Sequence, residues 1–385
     1  MARGKGEGSI YQNSRGQWCA SIELPPSADG QRRRKAISSK SKAVVVQKLR
    51  EIQKDKAVHG DLATRSMSLT AWLTHWLDDA ATANLRPNTV RGYRSVIARQ
   101  IVPRIGTVKL DKLTPAMIRS MTDAVAETSS STYALNAHNV LSSALKDAVR
   151  DGVITRHPME HMRRPRHQAQ EQNALTVDQA IRLLEHVSDQ HDGTMWATCL
   201  LTGARRNEVL GLEADRVGDS LDLSWQLQRI ADVDRAPRDY EYREIGGGYY
   251  WARPKSPKSW RIIPLVDPLK SILEAWIEQT RPDGLLFERA PGVPLNPDTV
   301  TRRWRQTLIA AGIEATETPE DQRVVLHGTR HTVVDLLYQA GVPEDVIQSI
   351  MGHSTRSVTR GYKTTAGQSQ RVVDAMESMS RLLGR

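Results

Sequence analysis

The sequence predicts a multidomain, mainly α-helical protein with small β-sheets, on three observations. A chain of 385 residues and 43.1 kDa exceeds one ordinary hydrophobic core. Its middle part repeats apolar residues at helical spacing. The parts on either side carry short alternating stretches bounded by turn residues.

Composition narrows the class further. Hydrophobic residues make up 39%, enough for packed domains, and no run is long and apolar enough to span a bilayer. The amino end, Met1 to Gly6, is charged and glycine-rich with no apolar stretch behind it, so no signal peptide is expected. Cys19 and Cys199 lie far apart, and two such residues build neither a disulfide framework nor a cysteine zinc site. A cytoplasmic protein without a membrane partner is the expectation. With 54 Lys and Arg against 44 Asp and Glu, the net charge is +10 and the pI about 9.7, the balance of a polyanion binder. Many soluble proteins are equally basic, so charge alone leaves a nucleic-acid partner and a merely solvated surface both open.

The first domain is expected over residues 1–62, where thirteen Lys and Arg face six Asp and Glu. Strands are expected over 8–11, 18–24 and 33–37, separated by turns at 13–16 and 25–30. A helix over 41–56 follows, with Val45, Leu49 and Ile52 on one side. A small basic sheet with one helix can lie against a DNA groove, and Arg32, Arg33, Arg34 and Lys35 are its candidate DNA contacts.

The second domain, 63–165, reads as all helix. Ser68 is an N-cap ahead of Leu69, Trp72, Leu73, Trp76 and Leu77, whose stripe makes the two tryptophans core rather than base-stacking groups. Further helices are expected over 87–101, from Thr114-Pro115 to 125, and over 132–149. A basic linker over 166–172 follows, with Arg163 and Arg164 just before it as further candidate DNA contacts.

The third domain, 166–385 including that linker, mixes helices with strands. A helix over 175–186 is expected, then strand stretches over 221–230 and 249–265, the second broken at Pro254-Lys255-Ser256-Pro257-Lys258 by a hairpin tip. Beyond 296 the pattern is helical, ending on a segment with Val372, Val373, Met376, Met379 and Leu383 on one face. The stretch 229–250, with Gly246-Gly247-Gly248, has no assigned function.

The chemistry lies in four separated boxes: Thr202-Gly203-Ala204-Arg205-Arg206-Asn207-Glu208, His327-Gly328-Thr329-Arg330, Gly352-His353, and Tyr362. Singly each is weak, since an arginine on a helix is usually a surface charge and a lone tyrosine usually packs. In this order they resemble the signature of the tyrosine recombinases of the phage integrase family. The second domain is similar to that family's helical core-binding domain, with Leu85-x-Pro87-x-Thr89 and the Pro103-x-Ile105-Gly106 turn. The first looks like the arm-site-binding domain of integrases from phages and integrative elements, and the third is the α+β catalytic domain.

The resemblance implies a site-specific recombinase that cleaves and rejoins double-stranded DNA through a 3′-phosphotyrosyl intermediate, without cofactor or metal. Cleavage puts charge on two non-bridging oxygens, which the always-charged guanidiniums of Arg205 and Arg330 can neutralise. Tyr362 is the nucleophile, His327 the base, and His353 a donor to a phosphate oxygen. Lys255 protonates the leaving oxygen, with Lys258 as the alternative, and Glu208 supports Arg205 structurally. A homotetramer on core and arm attachment sites is implied, with a host bending factor and a directionality factor, in the bacterial cytoplasm. Exchange of the last helix between subunits is implied too, an intrachain helix being the alternative.

Other readings fit less well. His327 and His331 have zinc-ligand spacing, but no third ligand lies nearby and Arg330 would repel a cation. A catalytically dead DNA-binding relative would lack some of the six reacting positions, and all are filled. A type IB topoisomerase shares the chemistry but not the separate arm-type domain, and a chromosome-dimer resolvase lacks that domain. Two departures from the family pattern stand out: Met351 in place of leucine, and Gly328 where an acidic residue is frequent.

Overall fold

The structure, a computed structural model, describes residues 9–24, 33–59, 67–80, 85–167, 173–254, 260–352 and 365–384. The chain forms two compact units, residues 1–81 with 89–168, and residues 82–88 with 169–385. No helix among the described residues is long and apolar enough to cross a membrane.

In the first unit, β1 (Ser9–Gln12), β2 (Trp18–Leu24) and β3 (Arg33–Ser39) form an antiparallel sheet in that order. The first turn closes because the Asn13 side chain accepts from the backbone N–H groups of Arg15 and Gln17, while Gly16 takes φ +72°. Helix α1 (Lys42–His59) buries Val45 and Leu49 against Ala20 and Ile22, a small core of their own. Ile22 pairs with Lys35 and Glu23 with Arg34, so Arg34 and Lys35 face opposite sides of the sheet.

The helical part contains α2 (Leu69–His75), α3 (Pro87–Val96), α4 (Val102–Ile105), α5 (Pro115–Thr128) and α6 (Ser131–Arg150). Ser68, Thr114 and Ser130 cap α2, α5 and α6 through their side-chain oxygens. Wider π-type turns continue α2 over Trp76–Ala80 and α3 over Ile97–Ile101. Trp72 donates its indole N–H to the Ala144 carbonyl at 2.9 Å, and Trp76 donates to Asp147 Oδ2 at 2.7 Å. Trp76 also stacks on Tyr93 at 5.7 Å, so both tryptophans are core.

The second unit begins with α7 (Val177–Val187), whose Thr176 and Gln179 form a reciprocal capping box, followed by α8 (Gly193–Thr202) and the short α9 (Arg206–Val209). Helix α8 is buried at every residue but Thr194, and burial pushes its Cys199 thiol up to about 12, leaving it unreactive. Strands β4 (Ser220–Asp222), β5 (Gln226–Arg229), β6 (Tyr242–Gly246), β7 (Tyr249–Ala252) and β8 (Ile262–Pro264) come next. They are followed by α10 (Leu269–Thr280), β9 (Glu288–Ala290), β10 (Val293–Pro294), α11 (Pro297–Ala310), α12 (Gly328–Gln339), α13 (Glu344–Met351) and α14 (Thr365–Leu382).

Two strand expectations need correction. The stretch 221–230 is two strands in two sheets, β4 with β8 and β5 with β7 and β6. Strands β7 and β8 accordingly belong to different sheets, and the expected hairpin tip over 254–258 falls, past Pro254, outside the described residues. The hairpin of this region is β6–β7, turned by Gly246 to Gly248, all at positive φ, so part of the unexplained 229–250 stretch is a third sheet strand. In this single chain α14 buries Val372, Met376 and Met379, and Leu383 just past its end, in the unit's own core, the intrachain arrangement.

Candidate active site

Helix α8 ends at Gly203, φ +61°, the left-handed cap position that glycine takes without strain. A Cβ there would lie 2.8 Å from Met351 Cε, so glycine also lets α13 approach. The chain turns at once into α9, with Arg205 as its first boundary residue and Glu208 reaching back to it. Glu208 Oε2 accepts from the Arg205 backbone N–H at 2.8 Å, and Oε1 accepts from Arg205 Nη1 at 2.7 Å. The adjacent Arg206 instead donates to Thr301 Oγ1 at 2.6 Å and to the Pro297 carbonyl at 3.1 Å. Local helix geometry thus selects Arg205 for the pocket.

Glu208 is 1% exposed and also accepts from a residue that sequence reasoning did not single out for the site. Arg261 donates Nη1 to Oε1 at 3.2 Å and Nη2 to Oε2 at 2.8 Å. Burial raises the Glu208 carboxyl, but the charge and hydrogen bonds of Arg261, then those of Arg205, prevail and hold it below its ordinary value. Nothing in the local sequence around Arg261 signals this partner.

Arg330, on α12, is 4% exposed and donates Nη1 to the Gly203 carbonyl at 2.9 Å and Nη2 to the Met351 carbonyl. It thereby ties the Arg205 turn to the end of α13, one residue before Gly352 at φ +63°. Burial, then the charges of Arg261 and Arg205, push its guanidinium down to about 9. Still a cation at neutral pH, it sits in a pocket with three guanidiniums and one carboxylate, a place that favours an added anion.

His327 precedes α12 and remains exposed. Partial burial, then the charges of Arg330, His331 and Arg205, pull its imidazole below the ordinary value, against an opposing pull from Glu208. A neutral ring can accept a proton. His331 meets it edge-on, with ring centroids 5.8 Å apart. Gly328 leaves room for the incoming chain: a Cβ would lie 2.5 Å from the Asn173 carbonyl oxygen. The acidic residue frequent in the family would collide with that backbone.

Lys255, Lys258, His353 and Tyr362 lie outside the described residues, as does Arg32. The near flank of 255–259 is firmly held. The Arg253 guanidinium lies 4.3 Å from the Trp225 ring and 4.4 Å from the Trp260 ring. Arg86 donates to the Arg253 carbonyl at 2.6 Å and to the Pro254 carbonyl at 3.4 Å. Arg34, Lys35, Arg163 and Arg164 are exposed and belong to the first unit.

Comparison with known proteins identifies the family of the chain. The profile described as "Phage integrase family" matches residues 173–368, and "Phage integrase, N-terminal SAM-like domain" matches 68–123. An integrase of Saccharopolyspora erythraea is 23% identical, over 93% of this chain and 92% of its own. A structure of the Tn1549 transposon integrase with circular-intermediate DNA has a TM-score of 0.62 at 18% identity, covering 81% of this chain and 95% of that one. A lambda integrase tetramer bound to a Holliday junction has a TM-score of 0.57 at 16% identity, covering 92% and 97%. With that profile spanning half of the sequence and the arginine pocket inside it, the chain belongs to the phage integrase family, the tyrosine-type site-specific DNA recombinases.

Proposed function

We propose that this recombinase integrates a phage or mobile element by cutting and rejoining DNA at the Arg205–Arg330 pocket, with Tyr362 as nucleophile. The observation that carries this reading is the charge of the pocket: Glu208 pairs with Arg205 and Arg261, Arg330 adds a third guanidinium held by backbone carbonyls, and a phosphodiester supplies the missing anion. Arg205 and Arg330 bind the non-bridging oxygens. His327, held neutral, takes the phenolic proton, since a phenol near pKa 10 is poorly ionised at neutral pH. His353 donates to a phosphate oxygen, and Lys255, or Lys258 beside it, protonates the leaving 5′-oxygen. The phosphotyrosyl bond conserves the energy of the broken phosphodiester, so religation needs no cofactor.

Residues 1–62 serve as the arm-site domain, 63–165 as the core-site domain and 166–385 as the catalytic domain. Arg34, Lys35, Arg163 and Arg164, with Arg32 and Arg33, supply phosphate contacts. Four subunits assemble on two DNA sites in the bacterial cytoplasm, aided by a bending factor and a directionality factor, and α14 passes between neighbours in that assembly. The lambda integrase tetramer on a Holliday junction supports this stoichiometry.

The test is incubation in EDTA with a supercoiled plasmid carrying the attachment site that flanks the gene, quenched with detergent. A protease-sensitive protein–DNA adduct that disappears in Tyr362→Phe is the expected result. Tight, footprinted binding without any adduct would reduce the protein to a DNA-binding relative.

A further inference from the structure

Arg261 has no role in the reading above, yet it is built into the pocket more firmly than Arg205. It is 6% exposed, and both terminal nitrogens are committed to the two oxygens of Glu208. Its carbonyl accepts from the Leu223 N–H at 2.9 Å, which fixes it just ahead of β8. Its Nε is buried without a partner among the described residues. Arg261 therefore cannot reach DNA itself.

What it reaches is the carboxylate that holds Arg205. Each oxygen of Glu208 is shared: Oε1 takes Arg205 Nη1 and Arg261 Nη1, and Oε2 takes the Arg205 backbone N–H and Arg261 Nη2. A glutamate on a four-residue helix has a broad terminal torsion of its own. The planar fork of Arg261 fixes the carboxylate plane from the opposite side, as a point-charge lysine would not. The Arg205 side chain, 35% exposed, is then presented with one nitrogen on Glu208 and, among the described residues, no partner for the rest of its fork.

We propose that Arg261 is a positioning residue for DNA cleavage, acting through Glu208 to aim the Arg205 guanidinium at the scissile phosphate. It also adds the third positive charge beside Arg330, deepening the pocket's demand for an anion. The proposal rests on the assignment of Arg205 to a non-bridging oxygen.

The experiment uses the full-length protein and a synthetic duplex of its core site, with the scissile phosphate either native or replaced by a charge-neutral methylphosphonate. Folding is checked by thermal melting and DNA binding by gel shift. On the native phosphate Arg261→Met should lose cleavage by about 10- to 100-fold, by analogy with the loss when the orienting partner of a metal ligand is removed. On the methylphosphonate, where less charge needs neutralising, its deficit should shrink in parallel with that of Arg205→Ala. A purely structural defect would be equally large on both substrates and would overturn the proposal. Arg261→Lys keeps the buried charge without the fork; it should stay impaired on the native phosphate, and wild-type cleavage by it would also overturn the proposal. Should Arg261→Met fail to fold, Arg261→Lys and the double variant Glu208→Gln/Arg261→Met, which removes both buried charges, carry the same comparison. Where Arg261→Met does fold, a double variant worse than the Arg261→Met and Glu208→Gln losses combined would exclude action through Glu208. Normal native-phosphate cleavage by Arg205→Ala would instead remove the underlying assignment, a result separable from failure of Arg261 alone.

Discussion

Glu208 and Arg261 lie 53 positions apart in the chain and meet through two hydrogen bonds, of 3.2 and 2.8 Å, in a site almost closed to water. The carboxylate is useful because it is outnumbered. It orders two guanidiniums without cancelling them, so the pocket keeps the positive charge that phosphoryl transfer requires.

Removing the guanidiniums should show this directly. Arg205→Ala and Arg330→Ala are each expected to lower single-turnover formation of the covalent adduct by about 10²- to 10³-fold, the effect of losing one preorganised donor, while retaining DNA binding. Near-normal adduct formation by either variant would exclude that residue from the reacting site.

Glu208 should matter to stability as well. Leaving Arg261 buried without its partner, as in Glu208→Ala, is expected to cost about 3–5 kcal/mol in denaturant unfolding. The folded carboxyl lies below its ordinary value, so its stabilisation is present at neutral pH and is lost as pH falls through that lower folded value. Wild-type stability should thus fall more steeply below about pH 4.5 than that of Glu208→Gln. Parallel acid profiles would count against a charged Glu208.

His327 shifts in the same direction for the opposite reason, since its charged form is the one disfavoured. The unfolded chain binds the proton more readily, so this group costs stability as pH drops below 6.5. As a base it stays competent at neutral pH, and the acid limb of the cleavage profile should lie below 6.5. His331→Ala removes one of the charges depressing it and should move that limb upward; an unchanged limb would mean that another group sets it.

Gly328 offers a steric test. Alanine there puts a Cβ 2.5 Å from the Asn173 carbonyl oxygen, a backbone atom, and should destabilise the catalytic unit by about 1–3 kcal/mol. An unchanged melting temperature for Gly328→Ala would show that the incoming segment 173–175 can give way.

Deleting residues 1–62 should spare cleavage of an isolated core site but impair recombination between full attachment sites. Normal integration by the truncated chain, scored by plasmid recombination, would refute the arm-binding role of the first sheet.

The sequence by itself determined what depends on near neighbours. The Ser68 cap, the helix start at Thr114-Pro115, the apolar stripe of α2, the Asn13–Gly16 turn and the order of the four boxes were all legible, because capping and periodicity act within a few residues. Only the tertiary structure decided which distant groups share a desolvated space. It split 221–230 between two sheets, turned Arg206 onto α11, explained Gly328 by the passing Asn173 carbonyl, and brought Arg261 to Glu208. A buried charge must find a partner wherever the chain brings one, and no spacing rule along the sequence specifies a contact made 53 residues away.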